Sequence, residues 1–453
     1  MTTAAADRIP KATLAAYAIP NLPHSLAFLP VIAFVPAFYA TDLAMPFAIV
    51  GLMLFLTRLT DIVTDPIVGA WSDRTRTRWG RRKPFIVAGL PILVAATWYV
   101  FVPGESRTPA ELFAGLFFMY LGFTLVDLPY NAWGAELSKD YDERTRVAGW
   151  RSGMGAIGTM AALSVPAILA LLGYNDTRTF LFALAIAFAV VQPLAFAFAL
   201  WRVREPPPET LPTDVRLGSV WSRMRPVIGN RPFRRLLLAA VLAVTGLAIG
   251  ATLNLIFCTH VIGAPKAFPY IIFAENVASF LGLPLFLWIS KRFGKHRAFA
   301  IAAAWYALSF AICLLMGPGD LWAFAIVRTL AGGALLGLTV LTAALTADVV
   351  DRDLLETGEA RTGLFFACLG MATKLAVAIG VLLGATVPSL AGFQPSDAAH
   401  TADGLWGLKL TYGLIAPLVM IPGIFLMWGH PLTREVQQAL RQQVAERRAA
   451  QAL

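Results

Sequence analysis

The fold of this chain is decided by the stretch RLTDIVTDPIVGAWSDRTRTRWGRRKP, which runs from Arg58 to Pro84. It joins an apolar run carrying two carboxylates, Asp61 and Asp65, to a burst of cations. The cations are Arg74, Arg76, Arg78, Arg81, Arg82 and Lys83. The first part is typical of a membrane helix and the second of its cytoplasmic exit. Because an ionisable side chain inside a bilayer is costly, Asp61 and Asp65 indicate an ion or solute path. They are four residues apart, so they lie on one helix face.

Composition predicts an all-α integral membrane protein. The chain has 453 residues, of which 58% are hydrophobic and 14% charged, and its mean hydropathy is +0.67. A soluble domain is about 25% charged, and a membrane-spanning helix needs about 20 apolar residues. The sequence contains twelve such runs. They cover residues 14–40, 46–70, 84–103, 111–135, 147–172, 179–201, 233–261, 267–289, 298–317, 321–347, 362–388 and 405–428.

The net charge of +10 does not indicate nucleic acid, because the cations lie beside the apolar runs, where the positive-inside rule explains them. We therefore predict a multi-pass protein of the inner (plasma) membrane with both termini cytoplasmic. The motif RWGRRK at 78–83 returns as RFGKHR at 292–297, which predicts two duplicated six-helix halves. The expected parts are a bundle at 1–201, a cytoplasmic linker at 202–232, a bundle at 233–430 and a cytoplasmic tail at 431–453.

The first and fourth runs supply polar candidates in the first half. Run one is broken by four prolines and carries Asn21 and His24, so it either lines a transport site or is a bent packing helix. His24 alone is interpreted first as a hydrogen-bonded interior residue. Run four carries Asp127 in mid-membrane, and Arg151 enters the next run. A carboxylate and a guanidinium on consecutive helices predict charge pairing. Further candidates on run four are Thr124, Tyr130 and Trp133.

The second half carries fewer charges. Glu275 in run eight either has a functional role, is paired with another side chain, or lies at shallow depth in the membrane. Residues 347–363 are predicted to form a mixed-charge cytoplasmic loop that includes Arg361. Lys374 lies about a dozen residues into run eleven, too far from either end to reach water, so it needs a partner. The first-half carboxylates are the available partners, and the pair Asp61 and Asp65 in turn requires sodium, a proton or Lys374 beside it.

Together these residues resemble the glycoside–pentoside–hexuronide:cation symporters, the melibiose-permease-like family of the major facilitator superfamily. The pattern D-x-x-x-D-P-x-x-G-x-x-x-D-R-T-x-x-R-x-G-R from Asp61 to Arg81 carries most of the resemblance. The loop AELSKDYDERTR at 135–146, the run D-x-x-x-x-T-G-x-x-R-x-G, Lys374 and the tail PLTRE also fit in order and spacing. The match covers nearly the whole chain.

The resemblance implies twelve helices in two halves around a central cavity, with alternating access. It implies that Asp61, Asp65, Thr124 and Asp127 bind the coupling cation, with Asp61 and Asp65 as the metal ligands if that cation is sodium. It also implies that Asp127 and Arg151 bind substrate and that Lys374 approaches the carboxylates from the other half. With the polar candidates of runs one and four added, the expected substrate site consists of Asp127, Arg151, Lys374, Asn21, His24, Tyr130 and Trp133. The expected gate residues are Asp73, Arg74, Arg78 and Arg361.

Two departures bear on ion and solute. Thr64 precedes the second carboxylate where the sodium-using permease has an asparagine, so a proton is favoured slightly over sodium. His24 and Ser25 lie near the place of that permease's sugar-binding aspartate, so a galactoside is not assured.

The favoured hypothesis is a monomeric, cation-coupled (H+ or Na+) symporter of a sugar, glycoside or related small solute. The alternatives are a transporter of an amphipathic solute such as a lysolipid, an uncoupled facilitator, and a non-transporting sensor. An enzyme is not indicated, because no nucleophile–base pair, metal cluster or phosphate-binding loop is present, and no cofactor is expected. The expected partners are the solute, the cation and the lipid bilayer.

Overall fold

The computed structural model describes residues 8–105, 107–138, 140–206, 225–358, 361–429 and 431. Most of the predicted linker and almost all of the predicted tail lie outside these residues. Among them, the only β-structure is an isolated bridge between Thr77 and Gly80. The chain folds as two compact units, Met1–Val215 and Arg216–Leu453.

The described residues of the first unit form eight helices. They are α1 Lys11–Ala18, α2 Asn21–Ala33, α3 Val35–Thr41, α4 Phe47–Arg74, α5 Lys83–Phe101, α6 Pro109–Glu136, α7 Tyr141–Leu171 and α8 Thr177–Arg202. The second unit follows the same scheme. Its helices are α9 Arg231–His260, α10 Phe268–Phe293, α11 Lys295–Cys313, α12 Leu321–Thr357, α13 Thr362–Leu390, α14 Ala402–Leu410 and α15 Ala416–Trp428.

The prediction of twelve membrane spans is confirmed within the described residues. Eleven spans are long and apolar enough to cross a bilayer, and the bent pair Lys11–Ala33 and Val35–Thr41 makes the twelfth. The two parts of that pair meet at 48°. Proline explains the break, because Pro36 in the first turn of α3 lacks the backbone donor that would bond back to α2.

The predicted duplication is also visible in the packing. The same pairs of spans touch in each unit: first with fifth, first with sixth, second with fourth, third with fourth and third with sixth. The repeated motif begins its third span in the same way in both units, since Gly80 has φ +105° and Gly294 has φ +88°. Only glycine adopts this backbone region at low cost, so the motif fixes a tight turn before α5 and α11.

The prediction of a cytoplasmic loop from residue 347 is wrong, because α12 continues ten residues further to Thr357. Arg352 and Glu356 form an ion pair of 2.7 Å one turn apart, which supports the helix beyond the apolar run. The helix then ends at Gly358, whose φ of +75° provides a left-handed cap. The last span also differs from a simple helix, since a π-turn at Thr411–Ile415 separates α14 from α15.

Candidate functional site

The second span, α4, places an arginine beside the first of its two carboxylates. Arg58 Nη1 lies 3.2 Å from Asp61 Oδ2, and both side chains are buried. The guanidinium also stacks 3.8 Å from the centre of the Tyr120 ring on α6, which satisfies its apolar face. The sequence had suggested sodium, a proton or Lys374 as the positive partner, and Arg58 was overlooked. The spacing of three residues was the available signal, because such residues are neighbours on a helix.

The second carboxylate, Asp65, is hydrogen-bonded by a residue of the fourth span. The resemblance implies that these two residues lie at one site. The Thr124 hydroxyl on α6 donates a 2.9 Å hydrogen bond to Asp65 Oδ1. Asp65 is half-buried, whereas Asp61 one turn earlier is 4% exposed. The two acidic groups therefore differ: Asp61 is compensated by a guanidinium in the interior, and Asp65 is more open and bonded to a neutral hydroxyl.

Asp127 lies one turn beyond Thr124 on α6, and three polar side chains lie close to its carboxylate. Asn131 Nδ2 donates to Asp127 Oδ2 at 2.8 Å. Arg151 Nη1 and His24 Nε2 lie 4.0 Å and 3.9 Å from Asp127 Oδ1. The predicted charge pairing of Asp127 and Arg151 is therefore observed, at a distance beyond a direct hydrogen bond. The Asp127 side chain is 38% exposed, so this carboxylate is accessible.

The broken first span is positioned by backbone contacts with α7. The side chains of Asn21 and Ser25 donate to the carbonyl oxygens of Arg151 and Gly155, at 2.9 Å and 3.1 Å. A Cβ at Gly158 would lie 2.0 Å from the Leu22 carbonyl oxygen, so a larger residue would separate the helices. This close packing brings the His24 ring against α6, where it meets the Phe123 ring edge-on at 4.7 Å.

Tyr130 and Trp133, the other predicted substrate residues, are buried in packing contacts. The Tyr17 hydroxyl donates to the Tyr130 carbonyl oxygen at 2.9 Å, and the Tyr130 hydroxyl donates to the Tyr17 carbonyl oxygen. Trp133 has 0% exposure and packs edge-on against Tyr17. These contacts fix α1 against α6. A direct role for Tyr130 and Trp133 in solute binding stays a prediction.

The predicted gate residue Asp73 is bonded to an arginine that was not among the candidates. Arg82 Nη2 lies 2.6 Å from Asp73 and 2.7 Å from Glu136, and Arg82 Nη1 donates to Ser72 at 2.6 Å. Burial works to lower the pKa of Arg82, but Glu136 and Asp73 outweigh it and raise that pKa. Arg82 therefore stays charged and ties the loop after α4 to the ends of α4 and α6.

The remaining gate candidates lie on or beside α4 and α13, and Lys374 lies within α13. Arg78 stacks 5.6 Å from the neighbouring Trp79 ring, and Arg74 lies in the last turn of α4. In the second unit, Arg361 is the N-cap of α13 and Lys374 is half-buried, more than one third of the way along that helix. Their predicted roles stay predictions.

The second unit contains a sealed polar cluster of its own. The Glu275 carboxylate on α10 accepts 2.5 Å hydrogen bonds from the Tyr306 hydroxyl and from Arg328 Nη2 on α12. Arg328 also donates to the Tyr306 oxygen at 2.7 Å, and its side chain is 1% exposed. A Cβ at Gly332 would lie 2.0 Å from the Glu275 carbonyl oxygen, so this glycine lets α10 and α12 approach. Glu275 is therefore paired in the interior, one of the two structural interpretations that its sequence context allowed.

The described residues contain no group of three or more His, Cys, Asp or Glu side chains arranged to hold a resident metal ion.

Residues 16–434 match the profile of the MFS/sugar transport protein family, which is most of the chain. The chain belongs to this family. The resemblance to glycoside–pentoside–hexuronide:cation symporters, the major facilitator fold and the multi-pass membrane location are thereby confirmed. Members of this family are transporters, which agrees with the interpretation that the chain is not an enzyme.

Relatives agree with this family, and a solved structure agrees with its fold. The chain is 24% identical to the glucuronide carrier protein homolog of Escherichia coli, covering 93% of this chain and 92% of the relative. It is also 24% identical to the sodium-dependent lysophosphatidylcholine symporter 1-B of Danio rerio, covering 95% and 89%. The crystal structure of the nucleoside transporter NupG has a TM-score of 0.68 at 13% identity and covers 92% of this chain and 99% of that one. The similarity to NupG shows the fold alone.

Proposed function

We propose that the protein is a secondary active transporter that couples the movement of a sugar, glycoside or related polar solute to that of a proton or sodium ion. The observation that carries this proposal is the arrangement on α6. Thr124 holds Asp65, and Asp127 one turn away holds the polar cluster of His24, Arg151 and Asn131. A cation site and a solute site would therefore share one helix turn, which is the proximity that coupling requires.

The solute site is proposed around Asp127, Arg151, His24 and Asn21, with Tyr130 and Trp133 behind it. The gaps of 3.9 Å and 4.0 Å around Asp127 exceed hydrogen-bonding distance and fit a hydroxyl group that bridges carboxylate and cation. A sugar offers several such hydroxyls. A guanidinium also accepts a carboxylate or sulfonate in bidentate geometry, so an acidic sugar fits Arg151. The relative named as a glucuronide carrier homolog supports this class.

The cation site is proposed at Asp65 with Thr124, beside the compensated Asp61. Because Arg58 already supplies Asp61 with a positive charge, Asp65 is the carboxylate at which charge is exchanged. A proton is favoured over sodium. A sodium ion between both carboxylates would lie beside the Arg58 guanidinium, whose positive charge opposes it. The residue before Asp65, Thr64, offers a hydroxyl oxygen where an amide oxygen would suit sodium better. Sodium stays the second possibility, since one relative is named a sodium-dependent symporter.

Coupling follows from linkage between the two sites. Neutralising Asp65 removes a charge next to Asp127, which lets the solute cluster adopt the state that binds solute well. If the cation raises solute affinity by some factor, the solute raises cation affinity by the same factor. Lys374 is proposed to approach these carboxylates from the second half during the cycle, and the protein is proposed to act as a monomer in the inner membrane with both termini cytoplasmic.

The test is uptake into proteoliposomes under an imposed sodium gradient or an imposed pH gradient, with a panel of neutral sugars, glycosides and acidic sugars. We expect one gradient to drive accumulation, Asp65→Asn to abolish it, and solute exchange by Asp65→Asn to suffer less. If no gradient drives uptake of any solute that binds, and Asp65→Asn transports normally, the protein is an uncoupled facilitator.

The second candidate solute is a lysolipid, because a relative that matches 95% of this chain is named a lysophosphatidylcholine symporter. The polar side chains around Asp127 favour a sugar over a lipid tail. Lysophosphatidylcholine belongs in the same panel: cation-driven uptake of that lipid, with none of any sugar, would replace the sugar hypothesis by the lysolipid one.

A further inference from the structure

A groove lies at one end of the second unit, between the first turns of α9 and the last turns of α15. The two helices touch closely further along, where a Cβ at Gly423 would lie 3.1 Å from the Ala239 carbonyl oxygen. Toward their ends they leave a groove of about 660 Å³. It is lined by Arg235, Ile421, Pro422, Phe425, Leu426 and Gly429.

The walls of this groove are apolar and open to the outside. Phe425 is 73% exposed and Ile421 is 38% exposed, on a helix apolar enough to span a membrane. Trp428 beside them is 53% exposed at the end of the same helix, the position where tryptophan marks the boundary between hydrocarbon and headgroups. The groove therefore extends from the headgroup level into the hydrocarbon.

The mouth of the groove is basic. The exposed Arg235 side chain donates to the Gly429 carbonyl oxygen at 3.2 Å, which holds its guanidinium over the end of α15. Arg231 and Arg234, in the first turn of α9, are exposed as well. Arg297 at the start of α11 lies 5.8 Å from the Trp428 ring. Arg235 thus lines the groove itself, Arg231 and Arg234 lie within one turn of it on α9, and Arg297 lies beside Trp428.

Two buried carboxylates of α12 have polar partners of their own. Asp348 forms an ion pair with Lys295 at 2.6 Å and is buried. Asp353 is 4% exposed and accepts a 3.3 Å hydrogen bond from Asn230. The exposed arginines at the mouth present positive charge, and a phosphate group is its complementary partner.

We propose that this groove binds an anionic phospholipid, with the headgroup phosphate at Arg235 and Arg234 and an acyl chain along Ile421 and Phe425. Guanidinium groups bind phosphate in bidentate geometry, and basic pockets between membrane helices recognise anionic headgroups. The apolar walls distinguish a lipid from a free phosphate, because only a lipid covers Phe425. The site is separate from the proposed transport site, so its failure leaves the transport hypothesis untouched.

The experiment measures thermal unfolding of the purified full chain against added phosphatidylglycerol, with phosphatidylcholine as the neutral lipid. We expect phosphatidylglycerol to stabilise the wild type more than phosphatidylcholine does. Arg235→Gln should need about fivefold more phosphatidylglycerol for the same effect, the change for one cation at a membrane surface. Phe425→Ser should weaken the effect too. Arg292→Gln is the control, since Arg292 is likewise an exposed arginine and lies beside an exposed tryptophan, Trp288, but does not line the groove.

Folding of each variant is checked by its melting temperature in phosphatidylcholine alone. Equal phosphatidylglycerol dependence of the wild type, Arg235→Gln and Arg292→Gln would overturn the proposal. It would also be overturned if soluble glycerol phosphate reproduced the effect, because the apolar walls would then play no part. A phosphatidylglycerol response seen only after removal of residues 432–453 would overturn it as well, by identifying the chain's own tail as the occupant.

Discussion

The two halves of the protein place a carboxylate at the same point and surround it differently. Counting 214 residues onward, the separation of the repeated motif, leads from Asp61 to Glu275, and both carboxylates are paired with a buried arginine. Arg58 comes from the same helix as Asp61, whereas Arg328 comes from the fourth span of its half and binds Tyr306 as well.

The two halves differ in the side chain that lies one helical turn after this carboxylate. The first half continues with Asp65, a half-buried carboxylate bonded to Thr124, whereas the equivalent position of the second half is Ser279, buried and bonded to its own helix at Asn276. The pair of the second half joins α10 to α12, whereas the pair of the first half lies within α4 and reaches α6 through the stacking of Arg58 on Tyr120. Only the first half adds a second, more open carboxylate at this position, and this addition is what a coupling cation needs.

The largest expected effect comes from breaking the buried ion pair of Glu275 and Arg328. Glu275→Gln leaves the Arg328 guanidinium buried without a counter-charge, which costs about 3–5 kcal/mol in the free energy of unfolding. The loss is measured by thermal or denaturant unfolding in detergent. Arg58→Gln should cost less, because a proton or sodium ion can neutralise Asp61 in its place.

The control for this prediction removes both charges. The double variant Glu275→Leu with Arg328→Met should recover most of the lost stability, since hydrophobic replacement of a buried ion pair is often neutral. If Glu275→Gln unfolds with the wild-type midpoint, the cluster is not the anchor that its burial indicates.

A smaller effect is expected from Thr124→Val, which removes the hydroxyl that donates to Asp65. A hydrogen bond to a charged group contributes about 1.5–3 kcal/mol, so cation affinity should change about tenfold or more. The direction depends on the ion: a proton would bind more tightly and sodium more weakly, because the hydroxyl stabilises the charged carboxylate but also offers sodium an oxygen. The measurement is the cation concentration that gives half-maximal uptake.

Thr342→Val is its control on the fourth span of the second half. That hydroxyl bonds to the Leu338 carbonyl oxygen of its own helix, so the same measurement should give the wild-type value. Equal shifts for both variants would mean that the contact between Thr124 and Asp65 has no special role.

The smallest effect concerns the loops that carry the repeated motif. Asp73 is 42% exposed, so Asp73→Asn should cost below about 1 kcal/mol of stability. Lys295→Gln should cost more, because it leaves the buried Asp348 without its cation. Gate opening is measured by the rate at which a membrane-impermeant maleimide labels a cysteine placed at Arg76. If the bond between Asp73 and Arg82 closes this end of the protein, Arg76→Cys should be labelled faster when it is combined with Asp73→Asn. Unchanged labelling and unchanged uptake would remove Asp73 from the gate.

The sequence predicted the spans and the duplication well, because apolar length and repeated turns are local signals. It also predicted that Asp61, Asp65, Thr124, Asp127 and Arg151 lie on neighbouring helices, and the structure brings Thr124 to Asp65 and Arg151 to Asp127. Their roles in transport stay predictions.

The arginine partners were missed for two different reasons. Arg58 is three residues from Asp61, and helical spacing alone would have identified it. Arg328 is 53 residues from Glu275, and only the packing of α10 on α12 brings them together. The loop predicted from residue 347 failed because charge was taken as the end of a helix, whereas Arg352 and Glu356 extend α12 as an ion pair.

The central claim is that the coupling cation binds in the first half at Asp65, and the matched positions Asp65 and Ser279 test it most directly. The measurement is thermal unfolding of the wild type, Asp65→Asn and Ser279→Ala, across sodium concentrations at fixed pH and across pH without sodium. A ligand that binds the folded state stabilises it increasingly as the ligand concentration rises above its Kd. We predict that one ion shifts the wild type and Ser279→Ala alike and that Asp65→Asn loses this shift. A full shift in Asp65→Asn, or its loss in Ser279→Ala, would contradict the account.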